Sequence, residues 1–211
     1  MFGYEGLGCT YWHMVAKLLV AVQENLVAAE AVGARETAAL ADHYYDIRAG
    51  LGFNKSPALY GAFPTDPYSH TPGHAGAQQP GMTGQVKEEI LTRLGELGVQ
   101  IADGKLAFRP SFLRAEEFTT APAVFRFTRP DGSEATRVVP SGALGFTVCG
   151  TPIVYRLTPA DPCIRIHDAR GRLRLLPGSI LDAASSAAVF ARQGEIALLQ
   201  VELGASFRPR P

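Results

Sequence analysis

The hydrophobic pattern of this chain changes period once, near residues 98–104, and that change limits the fold more than any single motif does. Upstream, apolar residues recur every three or four positions. Val15, Leu18, Leu19, Val22, Leu26 and Ala29 make one stripe, Leu40, Tyr44 and Ile47 a second, and Val86, Ile90, Leu91, Leu94 and Leu97 a third. Thr10 and Thr83 stand where N-caps belong, and Gly33, Gly50 and Gly98 where helices stop. The spacing predicts helices from Thr10 to the Gly33 stop, over 34–48 and over 84–97. Downstream, short alternating runs predict strands over 105–109, 124–128, 135–139, 143–149, 153–157, 163–167, 172–176, 188–191 and 196–203. Turn signals separate them: Asp103-Gly104, Pro130-Asp131-Gly132, Pro140-Ser141-Gly142, Arg170-Gly171 and Gln193-Gly194. The expected class is α+β. Helical hairpins over 1–100, a partial (α/α) toroid with a long loop at 52–83, precede an antiparallel β-sandwich or jelly-roll-like domain over 101–211.

The segment 52–89 follows the second helix as a long loop and runs into the start of the third. A loop this long inside a compact domain is uncommon and usually functional. Phe53, Tyr60, Phe63 and Tyr68 are large apolar anchors, while Asn54, Asp66, His70, His74, Gln78 and Gln79 are hydrogen-bonding groups. That mixture suits the wall of a pocket for a polar, ring-shaped ligand.

Charge excludes some partners. Twenty basic and twenty acidic residues cancel and the pI is near 7. Electrostatics therefore gives no reason to expect nucleic acid or an anionic membrane. Arg165, Arg170, Arg172 and Arg174 alternate with apolar residues, as on the outward faces of strands. Cys9, Cys149 and Cys163 have no metal spacing and form no disulfide framework, so a reducing, cytoplasmic location is expected. No signal peptide is evident, and the apolar run from Met14 to Val22 is interrupted by Lys17 and too short to span a bilayer. The glycine-rich, aromatic start FGYEGLGCTYWHM reads like the interior of a protein, which leads us to expect the C-terminal portion of a longer one. Three helices cannot close a toroid. Their apolar faces call for further helices, or for self-association.

Three passages carry a resemblance: YWHMVAKLLVAV near the start, AQQPGMTGQVKEEIL at the third helix, and GVQIADGKLAFRPSF at the period change. Together they resemble the C-terminal end of carbohydrate-active enzymes built on an (α/α)6 barrel, the cellobiose and chitobiose phosphorylase type and their hydrolase relatives. The resemblance covers roughly residues 4–112. It implies a loop with a polar pair and a glycine that enters a late barrel helix and helps to form the sugar site. It also implies an exit strand with the pattern of Asp103, Gly104, Leu106 and Pro110. The phosphorylases place a phosphate-contacting histidine early in the helix after the glycine loop. Here that region reads Met82-Thr83-Gly84-Gln85, which puts phosphate binding in question. Their general acid lies well upstream in the barrel.

Individual residues admit two readings. Glu88 is the catalytic candidate. Glu88 and Glu89 are adjacent, and successive helical residues diverge by about 100°, so both cannot serve one site, whereas glycoside cleavage needs two opposed carboxyls. The plain alternative is that both complement the helix dipole. His70 and His74 flank Pro72 and Gly73 and cannot form a helical zinc pair. They either contact sugar hydroxyls with Tyr68 or tie the loop to its own carbonyls. Gln78 and Gln79 suit bidentate contact with vicinal hydroxyls. Trp12, beside Tyr11, is either a sugar platform or core, and His13 reads as a satisfied buried histidine. Thr83 and Gln85 sit at a helix N-terminus, whose free N–H groups bind oxygen-rich ligands unless Thr83 simply caps it. Asp42, His43 and Asp46 read as an exposed face with Arg48. No metal site, cofactor motif or prepared nucleophile is present. The expected function is to contribute sugar-binding residues to a glycoside hydrolase or phosphorylase, with an oligosaccharide as partner. The alternative is a non-catalytic carbohydrate-binding or protein-interaction module.

Overall fold

A computed structural model describes residues 12–51 and 86–210, with the backbone alone for Trp12, His13, Met14 and Val86. The protein is α+β. It divides into two compact units, Met1–Gly95 and Glu96–Pro211.

The first unit holds α1 (Trp12–Ala31), α2 (Thr37–Gly50) and most of α3 (Val86–Glu96). Helix α1 ends in a Schellman turn. Ala34 N–H donates to Ala29 O at 2.9 Å and Gly33 N–H to Glu30 O at 3.1 Å, while Gly33 takes the left-handed φ of 65° that this turn requires. Helices α1 and α2 pack together around Ala16, Leu19, Leu26, Ala41 and Tyr44. The apolar stripes differ from expectation. On α1, Leu18 is exposed and Gln23 is buried; on α3, Ile90 and Leu91 are exposed and Glu88 and Thr92 are buried. A polar stripe one helical turn apart, Glu88 and Thr92, therefore faces inward on α3, and the segment 88–92 is amphipathic in the opposite sense to its hydrophobic pattern.

The second unit is a β-structure with one helix. Strands β1 (Val99–Ala102) and β2 (Lys105–Phe108) form a hairpin through Asp103-Gly104. Gly98, at φ 66°, precedes it. A Cβ there would lie 2.1 Å from the Arg109 carbonyl carbon, so both backbone conformation and space demand glycine. After a short 3-10 turn (Ala115–Glu117), β3 (Ala123–Thr128) and β4 (Glu134–Val139) make a second hairpin. The main sheet contains β5 (Ala143–Val148), β6 (Thr151–Arg156), β7 (Cys163–Asp168), β8 (Leu173–Pro177) and β9 (Ile196–Glu202), in the order β5-β6-β9-β7-β8.

Two features depart from the purely antiparallel reading. Strand β9 enters the middle of the sheet and runs parallel to β6. The segment 188–191, expected as strand, belongs to helix α4 (Ala183–Ala191). Its start is explicit: Asp182 is the N-cap and accepts from Ser185 N–H at 2.8 Å. Alanine-rich sequence then favours helix over strand. Buried Ser186 fastens α4 to β2 by accepting from Leu106 N–H at 3.0 Å. The sheet is covered on both faces. On one, Ile153, Tyr155, Ile164, Leu199 and Val201 pack with Val189 of α4 and with Leu106 and Phe108 of β2. On the other, Val154 and Leu198 pack with Val139 and Phe125 of the β3–β4 hairpin. Tyr155, wholly buried, donates its hydroxyl to Leu97 O at 2.5 Å.

Candidate functional site

Glu88 lies in the first turn of α3, with Glu89 beside it. The two diverge as helical geometry requires: Glu88 is buried and Glu89 is half-buried. Only 4% of the Glu88 side chain is exposed, and Lys17 Nζ donates to its Oε1 at 3.0 Å. Lys87 Nζ stands 3.8 Å from the same oxygen. The second oxygen, Oε2, is buried and has no hydrogen-bond partner among the described residues. Burial acts to raise the Glu88 pKa. The Lys17 hydrogen bond, the residue's own backbone N–H and the Lys17 and Lys87 charges outweigh that, and the group lies below the ordinary carboxylate value. Glu88 is therefore ionised at neutral pH. It can accept a proton or a hydroxyl hydrogen bond, and it is the wrong state for a general acid.

One turn along, Gln23 of α1 reaches α3. Its Nε2 donates to Thr92 O at 2.7 Å and contacts the Tyr44 hydroxyl of α2 at 3.5 Å. The buried amide thus ties all three helices. Gly95 makes room for it, since a Cβ there would fall 2.2 Å from Gln23 Cδ.

Of the residues expected to act in catalysis or to bind the sugar, Glu88 is the one with a described side chain. Tyr68, His70, His74, Gln78, Gln79, Thr83 and Gln85 lie outside the described residues, as do Tyr11 and the side chains of Trp12 and His13. Asp42, His43 and Asp46 are exposed on α2. Sequence reasoning missed Lys17, Gln23, Tyr44 and Thr92 as partners of one polar cluster. A signal existed for Gln23, a polar residue three or four positions from Leu19 and Leu26 on a buried face, and for Thr92, four residues after Glu88. Among the described residues, no group of His, Cys, Asp and Glu could hold a metal ion, Cys149 and Cys163 are both free, and no helix is long and apolar enough to cross a membrane. No protein-family model and no curated protein sequence matches the chain.

Proposed function

We propose that the chain is the C-terminal part of a glycoside hydrolase or glycoside phosphorylase of the (α/α)6 type, and that its helical unit contributes sugar-binding residues. The observation that carries this reading is Glu88: an ionised, buried carboxylate with one oxygen unmet among the described residues, at the start of the helix that follows the polar and aromatic segment 52–85. An unmet buried oxygen is costly, and a ligand hydroxyl would satisfy it. In this role Glu88 binds and orients a sugar, or accepts a proton from an attacking water. The acid that protonates the leaving oxygen comes from another residue. The chain works on this reading in a reducing, cytoplasmic compartment, in keeping with its unpaired Cys149 and Cys163.

The test is calorimetric titration of the chain with cello- and chito-oligosaccharides, beside a turnover assay on the protein encoded by the whole reading frame. Glu88→Gln removes a charged acceptor, worth about 1.5–3 kcal/mol, and should weaken binding about tenfold or more. Lys17→Met breaks the same ion pair but keeps the carboxylate, and should retain most of the binding. Equal losses in both variants would make Glu88 a structural ion pair only. Binding without turnover in the whole protein would favour the alternative, a non-catalytic carbohydrate-binding module, for which the self-contained core of the β unit also speaks.

A further inference from the structure

Two cavities of about 860 Å³ and 510 Å³ adjoin in the β unit and share Ala169, Gln193, Gly194 and Ile196 in their walls. Both fall in or near the size range of ligand pockets. The β7–β8 turn and the start of β8 bring Arg170, Arg172 and Arg174 to the first, opposite Ala184 and Ser185 of α4. The β3–β4 hairpin and the end of α4 bring Arg129, Arg137 and Arg192 to the second. Against these six guanidiniums the two walls set three carboxylates, Asp168, Glu195 and Asp131. A neutral chain thus concentrates positive charge along one cleft.

The arginines differ in how they are held. Asp168 accepts from Arg172 Nε at 2.6 Å and from the backbone N–H groups of Arg170 and Arg172, which fixes the turn and leaves the terminal nitrogens of Arg172 without a partner among the described residues. Asp182 and Ser185 anchor Arg174. The guanidinium groups of Arg137, Arg170 and Arg192 are exposed and make no hydrogen bond or ion pair with the described residues. Arg192 is also strained. It caps α4 in the left-handed region at φ 55°, where glycine is the easier residue. An unpaired arginine in a conformation that costs about 1 kcal/mol, at the lip of a cleft, points to a role beyond the fold. On β7, His167 Nε2 is buried without a partner among the described residues, and its pKa is lowered by burial first and then by the charges of Arg137 and Arg165.

The lining selects among anions. A nucleic-acid backbone carries dense charge and favours stacking platforms. Here Phe127 is the one aromatic residue in either wall among the described residues, and the three carboxylates would repel successive phosphates. Arginines interleaved with carboxylates, Gln193, Ser185 and Thr136 suit a ligand rich in hydroxyls with sparse negative charge. We propose that this cleft binds a carboxylate-bearing sugar chain, with guanidiniums pairing to uronate groups and the amide, hydroxyl and carboxylate groups taking sugar hydroxyls. The sugar part of this assignment rests on the carbohydrate reading above, while the anion part stands on the arginines.

The full chain is titrated calorimetrically at low salt with an oligogalacturonate, a cello-oligosaccharide of equal length and a single-stranded oligonucleotide. The oligogalacturonate should bind, and binding should weaken in high salt. The double variant Arg137→Gln/Arg170→Gln should lower its affinity at least tenfold. Arg192→Gly should lower it severalfold while leaving the melting temperature unchanged or raised, which separates binding from folding. Absence of oligogalacturonate binding, indifference to these variants, or tighter binding of the oligonucleotide would each overturn the proposal. Arginine-dependent oligogalacturonate binding in a protein that neither binds nor turns over neutral oligosaccharides keeps the cleft and removes the carbohydrate-enzyme reading; the converse removes only the cleft.

Discussion

Gly95 shows how a local preference can be reversed by one neighbour. Glycine inside a helix is about 1 kcal/mol worse than alanine, so Gly95→Ala in α3 would ordinarily stabilise. Here the new methyl would displace the Gln23 amide, which is only 6% exposed and bonds to Thr92 O and the Tyr44 hydroxyl. Losing a buried polar group's partners costs about 1–3 kcal/mol, which exceeds the helix gain. We expect Gly95→Ala to destabilise by about 1 kcal/mol net. In a Gln23→Ala background the same change should be neutral or stabilising. Urea denaturation of the two single variants and the double variant measures this coupling, and additive effects would sink the argument. Residues of this kind are illegible from pattern alone. A glycine near a helix end reads as a stop signal, and nothing in its neighbours says that a glutamine from another helix needs its space.

At the scale of elements, the helix that sequence missed is also the one whose cap gives a pH signature. Asp182 accepts from Ser185 N–H and pairs with Arg174, and its pKa falls to about 2, chiefly through the Arg174 hydrogen bond. Its folded pKa lies below the unfolded value of about 3.9. The stabilisation is therefore fully present above about pH 4 and is lost as pH falls towards about 2. The side chain is about one-third exposed, so solvent screening limits the gain, and we expect Asp182→Ala to cost about 1 kcal/mol at neutral pH. The variant's deficit should shrink steadily between pH 4 and pH 2. A deficit constant across that window would show that the cap acts through packing rather than charge. The period-2 signal located β2 to β9 closely, because apolar and polar residues alternate in most of them and turn residues bound them, even in β8, where only Leu176 is half-buried. It failed at 188–191, where alanine and valine suit either state and only the Asp182 cap decides. The inward polar stripe of α3 was also hidden, since a pattern that counts apolar residues turns a helix with buried Glu88 and Thr92 the wrong way round.

Across the whole molecule, three helices followed by strands were legible from the change of period, and α4, set between β8 and β9, was the exception. Sheet order was not. Alternation tells which face of a strand is buried but not which strand lies beside it, and the parallel neighbour of β6 is β9, some forty residues away. Of the candidate site, Glu88 is where sequence and structure meet, because the segment 52–85 lies outside the described residues. The position of β9 has a folding consequence. It is hydrogen-bonded to β6 on one side and β7 on the other, and its Leu199 and Val201 are buried in the main core. Without it the sheet separates into β5–β6 and β7–β8, two-stranded pieces of the kind that are marginal on their own. The unit Glu96–Pro211 has its own core and should fold in isolation, with a single cooperative urea transition followed by circular dichroism. The same unit ended after Glu195 should show no cooperative transition, although it keeps eight of the nine strands. Most of the sheet's contacts connect distant parts of the chain, so folding should also be slow for a unit of this size, in milliseconds to seconds. A cooperative transition in the shortened unit would mean that the hairpins, rather than the late central strand, hold the core together.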